Sequence, residues 1–239
     1  MNIGIKDKND MNIGIIAAMS EEIDFIKSHL QQVKEKKIKD IIFYFGNIAN
    51  KSVVAVLSGV GKTNAAIATL LLIEKWSVDC IINIGTAASF SQSVAVGDVV
   101  VSTEVAHHDV DVTAFDYVRG QLPQLPAVFQ ADMDWIAILK NYQPDDFNIN
   151  FGLIVSGDQF IHEKQQKENI LQHFSQSLAC DMEASSIAQV CFKFGVNFVI
   201  IRSISDGANS DSSVDFYTFI QLASQRSSMI ALELIHNIQ

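Results

Sequence analysis

The sequence predicts a single three-layer α/β/α domain around a mixed, mainly parallel β-sheet. Short β-branched runs alternate with longer segments of helical periodicity, and several of the short runs are apolar at every position. A strand that is apolar on both faces fits a sheet covered by helices on both sides, because both faces are then buried. The 239 residues are enough to bury one substantial core, and no Pro/Ser-rich linker divides them. We therefore expect one domain over residues 11–239.

The expected strands are short runs rich in Val, Ile and Phe, and the expected helices are longer segments with apolar residues at helical spacing. The strands are predicted at 12–18, 43–47, 52–57, 80–84, 97–104, 151–156, 178–180 and 197–203. The helices are predicted at 20–32, 63–76, 133–141, 165–173, 182–194 and 215–238. Ser20 is suited to cap the first helix, and Glu22 lies in the first turn, where the helix dipole favours an acid.

Two segments fall outside this alternation. Residues 1–5 have the sequence MNIGI, and the same five residues recur at 11–15. Only the second copy continues into an apolar strand. Residues 1–10 are therefore predicted to be a disordered N-terminal extension. Residues 106–130 form a long stretch without clear periodicity. A loop of that length in a compact domain is usually functional or part of an interface.

Composition excludes several classes of function. The net charge is −10 and the chain contains only three arginines, which argues against binding to nucleic acid or to an anionic membrane surface. No apolar run reaches the ~18 residues of a membrane-spanning helix, and the polar start does not match a signal peptide. The three cysteines have no paired spacing, so we expect buried, reduced thiols in a cytoplasmic protein.

Three suggestive motifs fail on inspection. The run SGVGKT at 58–63 lacks a P-loop glycine, since Val56 stands in its place, and lacks a dinucleotide-binding glycine, since Asn64 stands there. What remains is a glycine turn that is either a ligand approach or a plain strand-to-helix connection. HHDVD at 107–111 is a poor metal site because adjacent histidines on a strand point to opposite faces. The motif G-x-S-x-G is absent. No metal or cofactor is predicted.

Polar groups at strand ends form the constellation that remains. The apolar strand at 197–203 runs into Asp206, and the carboxyl end of a buried strand is where open α/β sheets bind ligands. Glu22 follows the first strand, Glu183 lies in the first turn of the helix predicted at 182–194, and small residues follow the strand at 80–84. Each carboxylate alone could be a cap or a turn former. Together they are typical of a site that hydrolyses a polar bond with acid and base groups.

In this order the segments resemble the nucleoside phosphorylase family, and within it the hydrolytic branch of 5′-methylthioadenosine/S-adenosylhomocysteine nucleosidases. The matching stretches are IGIIAAMSEE (13–22), SGVGK (58–62), NIGTAA (83–88), HHDVDVTAF (107–115), VSGDQFI (155–161), DMEASSIAQVC (181–191) and RSISDGA (202–208). The resemblance extends over about residues 11–238. It implies a nucleoside phosphorylase-like fold and hydrolysis of the bond between adenine and a 5′-thio-substituted ribose, a reaction of methionine salvage and methyl-cycle recycling.

The resemblance also assigns roles to individual residues. By this resemblance, Asp206 would protonate adenine at N7, Glu22 would activate the attacking water, and Glu183 would bind the ribose hydroxyls. Arg202 would orient Glu22 and the water, assisted by the hydroxyl of Thr86. Adenine would stack on the phenyl ring of Phe160 and hydrogen bond the backbone of Ile161. The other substrate-binding residues would be Met19, Val60, Ala87, Met182, Ala208 and Phe216.

The long loop acquires a role from the same resemblance. Val112, Phe115 and Pro123 match positions that, in the family, reach the active site of the neighbouring subunit. This implies a homodimer in which residues 106–130 complete the partner's site.

Three other functions stay open at this point. A phosphorylase would use phosphate in place of water, but phosphate sites commonly contain several arginines, and only Arg202 lies in a candidate segment. A nucleosidase for another 5′-substituted adenosine, such as aminodeoxyfutalosine, is not excluded by these residues. A catalytically silent nucleoside-binding protein would not need the three carboxylates.

One turn departs from the pattern of the family that the chain resembles. Thr86-Ala87-Ala88 stands where the family has a turn of the Ser-Ala-Gly type. The methyl group of Ala88 either narrows the pocket or changes the backbone, which leaves substrate preference undecided.

Overall fold

The computed structural model describes residues 11–207 and 212–238, with the side chains of 212–215 excepted. The predicted extension at 1–10 and the predicted binding residue Ala208 lie outside the described residues. The described chain forms one mixed β-sheet with six helices packed against it, as the alternation of strand and helix patterns predicted.

The sheet contains ten strands in the order β10-β6-β8-β9-β5-β1-β4-β3-β2, with β7 paired to β6. The strands are β1 (Asn12–Ala17), β2 (Gln31–Ile38), β3 (Ile41–Ile48), β4 (Lys51–Leu57), β5 (Cys80–Ser89), β6 (Val99–His107), β7 (Phe129–Gln130), β8 (Ile149–Ser156), β9 (Ser177–Asp181) and β10 (Asn197–Asp206). The four neighbours β4, β1, β5 and β10 are all parallel. Because β10 also pairs with β5, the strands β5, β10, β6, β8 and β9 form a closed ring.

The helices are α1 (Ser20–His29), α2 (Lys62–Trp76), α3 (Met133–Lys140), α4 (Lys164–Leu171), α5 (Ala184–Phe194) and α6 (Ser212–Asn237). Helix α6 packs on α1, β5 and β10, whereas α2 packs on α5. The connections β1 to β4 and β4 to β5 cross the sheet in opposite directions. Right-handed crossovers therefore place α1 and α2 on opposite faces of the sheet.

Sequence periodicity found eight of these strands but missed the edge strand β2 and the short β7. Almost every residue of β2 is exposed, and the strand carries three lysines, so it has no apolar alternation to detect. Charged residues on an edge strand also discourage pairing with another molecule. The predicted helix at 20–32 ends earlier, at His29, because Leu30 adopts an extended backbone and β2 begins at Gln31.

Two strands continue beyond their apolar runs. Strand β5 was expected to end at residue 84 and reaches Ser89, while β10 was expected to end at 203 and reaches Asp206. Their parallel ladder extends to the pair Ala88 and Asp206. This pairing holds small and polar residues in a strand conformation that their propensities do not favour, and it carries the polar residues to the end of the ring.

The core consists mainly of isoleucine, valine and alanine from the central strands and the inner helix faces. Strand β1 is buried from Ile13 onward. Cys80, Cys180 and Cys191 are buried free thiols, which confirms that part of the composition argument. Within the described residues, no helix is both long and apolar enough to cross a membrane.

Candidate active site

A cavity of about 460 Å³ opens where the parallel strands β1, β5 and β10 end. Its size lies within the range of small-molecule sites. The lining is mainly apolar, but it contains four carboxylates and one guanidinium group, contributed by Glu22, Asp181, Glu183, Asp206 and Arg202. All five side chains are buried. The chain therefore places a set of strongly interacting charges at the edge where the sequence predicted the site.

Glu22 is held from two directions at the start of α1. One carboxylate oxygen accepts hydrogen bonds from the backbone amides of Ala18, at 2.9 Å, and Met19, at 3.1 Å. The other accepts from the amide of Thr86, at 3.0 Å, and from its hydroxyl, at 3.3 Å. Burial raises the pKa of Glu22, although the positive charge of Arg202 and the three amides oppose the shift. A buried carboxylate with a raised pKa is suited to act as a general base near neutral pH.

Arg202 lies at the centre of the charged cluster and is 1% exposed. Its guanidinium forms ion pairs with Asp181 and Glu183 and donates to the side-chain oxygen of Asn83 at 2.9 Å. A longer bond of 3.4 Å reaches the carbonyl oxygen of Thr86. These contacts tie Arg202 to residues around Glu22, and it acts on Glu22 itself through its charge.

Glu183 precedes α5 and joins that helix to the glycine turn after β4. One of its oxygens accepts from the amide of Gly61 at 2.8 Å, and the other accepts from Arg202 at 3.2 Å. Burial raises the pKa of Glu183 to about 7, with Arg202 opposing the shift and the nearby carboxylate of Asp181 adding to it. The glycine turn of the failed P-loop motif therefore binds a carboxylate of the protein. Gly61 has φ +100°, which favours glycine at this position.

Asp206 is the last residue of β10 and is 2% exposed. One of its oxygens accepts a hydrogen bond from the hydroxyl of Ser205 at 2.9 Å. The ladder with β5 shifts register between Ile204 and Asp206, and this irregularity changes the direction of the side chains at the strand end. Asp206 lines the cavity together with Ser205.

Apart from Ala208, the predicted substrate-binding residues fall into two groups. Eight of them line the cavity, namely Met19, Val60, Thr86, Ala87, Phe160, Ile161, Met182 and Phe216. Phe160 is 44% exposed, and its ring makes an edge contact with that of Phe216 at 6.1 Å between centroids. Val112, Phe115 and Pro123 form the second group and do not line the cavity of their own chain. The long loop instead presents Phe115 at 74% exposure.

The sequence pattern gave no role to three residues that organise the cluster. Asp181 begins one of the stretches that match the family, and it pairs with Arg202. Asn83, a single polar residue within an apolar strand, donates to the carbonyl oxygen of Ile16 at 2.9 Å. Gly85 lies so close to the cluster that a Cβ there would sit 2.1 Å from an Arg202 nitrogen. Two signals were available, the polarity of Asn83 within an apolar strand and the place of Asp181 at the start of a matching stretch.

The histidine and aspartate run at 107–111 has structural partners. His107 hydrogen bonds the side chain of Gln189, and Asp109 forms a 2.6 Å ion pair with Lys62. The other oxygen of Asp109 accepts from the amide of Asp158 at 3.0 Å. In the part of the chain that the structure describes, no group of three or more His, Cys, Asp or Glu residues is arranged to hold a metal ion.

Comparisons with known proteins agree with this geometry. The family model of the phosphorylase superfamily matches residues 12–236. A protein of Oceanobacillus iheyensis named 5′-methylthioadenosine/S-adenosylhomocysteine nucleosidase is 44% identical over 229 residues, covering 95% of this chain and 100% of the relative. A Shewanella oneidensis protein of the same name is 44% identical, covering 96% and 98%.

Solved structures give the same picture. The nucleosidase of S. pneumoniae with the transition-state inhibitor MT-ImmA superposes with a TM-score of 0.93 at 37% identity, covering 96% of this chain and 100% of that one. The Neisseria meningitidis enzyme with methylthio-immucillin-A gives 0.92 at 40% identity, with coverages of 94% and 98%.

Proposed function

This chain belongs to the phosphorylase superfamily, and from that membership and its site we propose that it hydrolyses 5′-methylthioadenosine and S-adenosylhomocysteine. The N-glycosidic bond is broken, and the products are adenine and the 5-thio-substituted ribose. The observation that carries this proposal is one cavity lined by Glu22, Glu183, Asp206 and Arg202 together. Relatives at about 44% identity over nearly the whole chain bear the name of this activity.

The reaction needs a leaving group that can depart as neutral adenine. In this proposal adenine stacks on Phe160 and is bound by the backbone of Ile161, with N7 facing Asp206, which lines the same cavity. Asp206 donates a proton to N7, so the electrons of the breaking C1′–N9 bond are accommodated by a neutral base. General acid catalysis of this kind contributes about 10²–10⁴ in rate.

The ribose becomes positively charged as the bond to adenine breaks. Glu183 accepts hydrogen bonds from the ribose hydroxyls and stabilises that charge, with Arg202 holding the carboxylate in place. Glu22 removes a proton from the water that attacks C1′. Its four hydrogen bonds come from fixed groups of the turn between β1 and α1 and of β5, which supports a preorganised base in a water-poor site.

The charge balance of the cavity favours water over phosphate as the nucleophile. Four buried carboxylates face one guanidinium group, and that guanidinium is already paired with Asp181 and Glu183. A phosphate dianion next to Glu22 would meet like charge at low dielectric, where repulsion is strong. The cluster therefore supports hydrolysis and disfavours phosphorolysis.

We also propose that the active unit is a homodimer. Val112, Phe115 and Pro123 lie on a loop that does not contribute to its own cavity, and Phe115 is exposed. In a dimer these residues would close the 5′-thio end of the partner's site. The buried free thiols are consistent with a reducing, cytoplasmic location, and the products fit a role in methionine salvage.

Product analysis tests the reaction. The protein is incubated with 5′-methylthioadenosine, S-adenosylhomocysteine, aminodeoxyfutalosine, adenosine and inosine, each with and without phosphate, and free base and sugar are quantified. We expect adenine release from the two thio-substituted nucleosides without any need for phosphate. A requirement for phosphate with formation of ribose 1-phosphate would reject the hydrolase assignment. A lack of release from every nucleoside would favour a silent binding protein.

Two isosteric substitutions test the residue roles. Glu22→Gln and Asp206→Asn should each lower kcat by about 10²–10⁴, the usual contribution of a general base or acid. Circular dichroism and the thermal midpoint should show that both variants remain folded. Near-normal turnover in either variant would remove that residue from its proposed role.

The dimer is tested separately by Phe115→Ser. Light scattering at several concentrations should show weaker association, and KM for 5′-methylthioadenosine should rise, because each subunit would lose an apolar wall of its partner's site. Exposed Val33 on β2 (49% exposed) gives the control, Val33→Ser, which should leave both quantities unchanged. A monomer of full activity would contradict the proposal.

A further inference from the structure

Lys167 is an anomaly in helix α4. The sequence of α4, KQQKENIL, is almost entirely polar, and Lys167 is its one buried residue, at 7% exposure. Lysine is among the residues least often buried, because its ammonium group loses hydration unless protein groups replace it. Its neighbour one turn earlier, Lys164, has a side chain that is 83% exposed. The burial of Lys167 therefore requires protein groups that replace the lost hydration of its ammonium.

The contacts of Lys167 lie at the ends of the two strands that carry the site. Its ammonium donates to the carbonyl oxygen of Ser89 at 3.0 Å and to that of Gly207 at 3.4 Å, and it lies 5.4 Å from the centre of the Phe90 ring. Ser89 is the last residue of β5, and Gly207 directly follows Asp206. The lysine thus ties together two strand ends at the point where the register of their ladder shifts.

The electrostatic surroundings of Lys167 point to Asp206. Burial lowers the pKa of its ammonium, and the negative charge of Asp206 opposes that shift. The nearby thiol of Cys180 is uncharged near neutral pH, because burial and the charges of Asp181 and Asp206 raise its pKa. Lys167 does not line the cavity, whereas Asp206 does, so an influence of the ammonium on a bound substrate would have to pass through Asp206.

We propose that Lys167 is a positioning residue for the general acid: it fixes the strand ends on either side of Asp206 and supplies the positive charge that stabilises Asp206 as a carboxylate once its proton has passed to adenine. This inference rests on the proposed function. When the proton leaves, Asp206 becomes negative within a buried site, and a neighbouring ammonium compensates that new charge. The lysine thereby makes the acid stronger and keeps its oxygens aimed at the leaving base.

The test compares pH profiles of kcat and kcat/KM for 5′-methylthioadenosine among variants of the full chain. Lys167→Gln retains a donor for the carbonyl of Ser89 but removes the charge, and Lys167→Met removes both. Lys164→Met is the matched control, with the same change of charge on the same helix at an exposed position. We expect Lys167→Gln to lower kcat by about 10- to 100-fold, part of the 10²–10⁴ of a general acid, and to move the alkaline limb of the profile to higher pH. Lys167→Arg should recover most of the activity and leave the limb in place.

A purely structural role predicts a different pattern. If Lys167 only held the two strand ends together, its substitution would lower the thermal midpoint and the fraction of active enzyme without moving the alkaline limb of the pH profile. That result would overturn the proposal. Wild-type kcat with an unmoved limb in Lys167→Gln would overturn it as well. Should both neutral variants fail to fold, Lys167→Arg is the deciding variant. Values of kcat and of the alkaline limb close to those of the wild type support the role of the charge, and a limb that moves although the charge is retained, or a kcat lost with an unmoved limb, overturns the proposal.

Failure of this inference is distinguishable from failure of the proposed function. An active Asp206→Asn enzyme would remove the general acid itself, and with it the premise. An inactive Asp206→Asn enzyme together with a fully active Lys167→Gln enzyme would reject the role of the lysine alone. In the Asp206→Asn enzyme, Lys167→Gln should lower activity little further, because the effects of substituting two residues that act through one another do not add.

Discussion

Gly85→Ala should disable the enzyme while adding only one methyl group. A Cβ at position 85 would lie 2.1 Å from a guanidinium nitrogen of Arg202 and 2.7 Å from a carboxylate oxygen of Glu22. Neither group can retreat freely. Arg202 is fixed by two ion pairs and by Asn83, and Glu22 is fixed by four hydrogen bonds.

The expected size of the effect follows from these distances. Relief of the contact requires a displacement of about 1 Å in the base or its neighbour, and a misplacement of that size lowers turnover by about 100-fold. Overpacking of a closed core costs about 1–3 kcal/mol. Because each kcal/mol corresponds to about 2–4 °C in a chain of this length, Tm should fall by about 2–12 °C. The variant is therefore expected to be folded at 25 °C and nearly inactive.

The assay measures adenine release from 5′-methylthioadenosine at 25 °C, alongside thermal unfolding by circular dichroism. Gly195→Ala is the matched control. Gly195 has φ +65°, and in the described part of the chain no atom lies within 4 Å of the place that an alanine Cβ would take. Alanine there costs about 1–2 kcal/mol through backbone strain without touching the site, so it should lower Tm and leave kcat unchanged. If Gly85→Ala retained kcat within a few-fold of the wild type, the tight arrangement of Gly85, Glu22 and Arg202 would not be a requirement for catalysis.

Three further predictions concern stability and binding. Because the pKa of Glu183 is raised from 4.5 to about 7, the folded protein keeps a proton that the unfolded chain releases between those pH values. The free energy of unfolding from this group should therefore fall by on the order of 3 kcal/mol as pH rises from about 4.5 to 7. Urea denaturation at several pH values should show that Glu183→Gln flattens this dependence, and an unchanged slope would contradict the assignment. Phe160→Ala should raise KM for 5′-methylthioadenosine by about 5- to 150-fold, since base stacking contributes about 1–3 kcal/mol, whereas Phe192→Ala, at an exposed phenylalanine outside the cavity, should leave KM unchanged. Asp181→Asn should lower stability by about 3 kcal/mol, the smaller end of the cost of breaking a buried pair, because Arg202 keeps its second carboxylate; equal urea midpoints for variant and wild type would show that the pair contributes nothing.

The sequence predicted those strands and helices whose buried residues form a clear apolar pattern. The runs at 80–84 and 197–203 are apolar on both faces, and the structure confirms them as central strands. The polar residues beyond those runs were harder to assign. Thr86 and Asp206 lie in strand conformation because β5 and β10 pair with each other, and pairing between distant segments leaves no trace in local propensity. Strand β2 was missed for a different reason. It pairs with β3, its neighbour in the chain, but almost all of its residues are exposed, so it has no apolar alternation to detect.

Residue order and spacing alone determined that this is an α/β chain with acid groups at strand ends, and the family resemblance named the same carboxylates that the cavity later brought together. The tertiary structure decided how those groups interact. Only the folded chain shows that Arg202 pairs with Asp181 and Glu183, that Gly61 donates to a carboxylate of the site, and that Lys167 reaches across to the end of β10. The physical reason is that hydrophobic periodicity is a local property of the sequence, whereas the charge balance of a buried site depends on side chains that are far apart in the chain. Those side chains come within bonding distance only when the sheet closes into a ring.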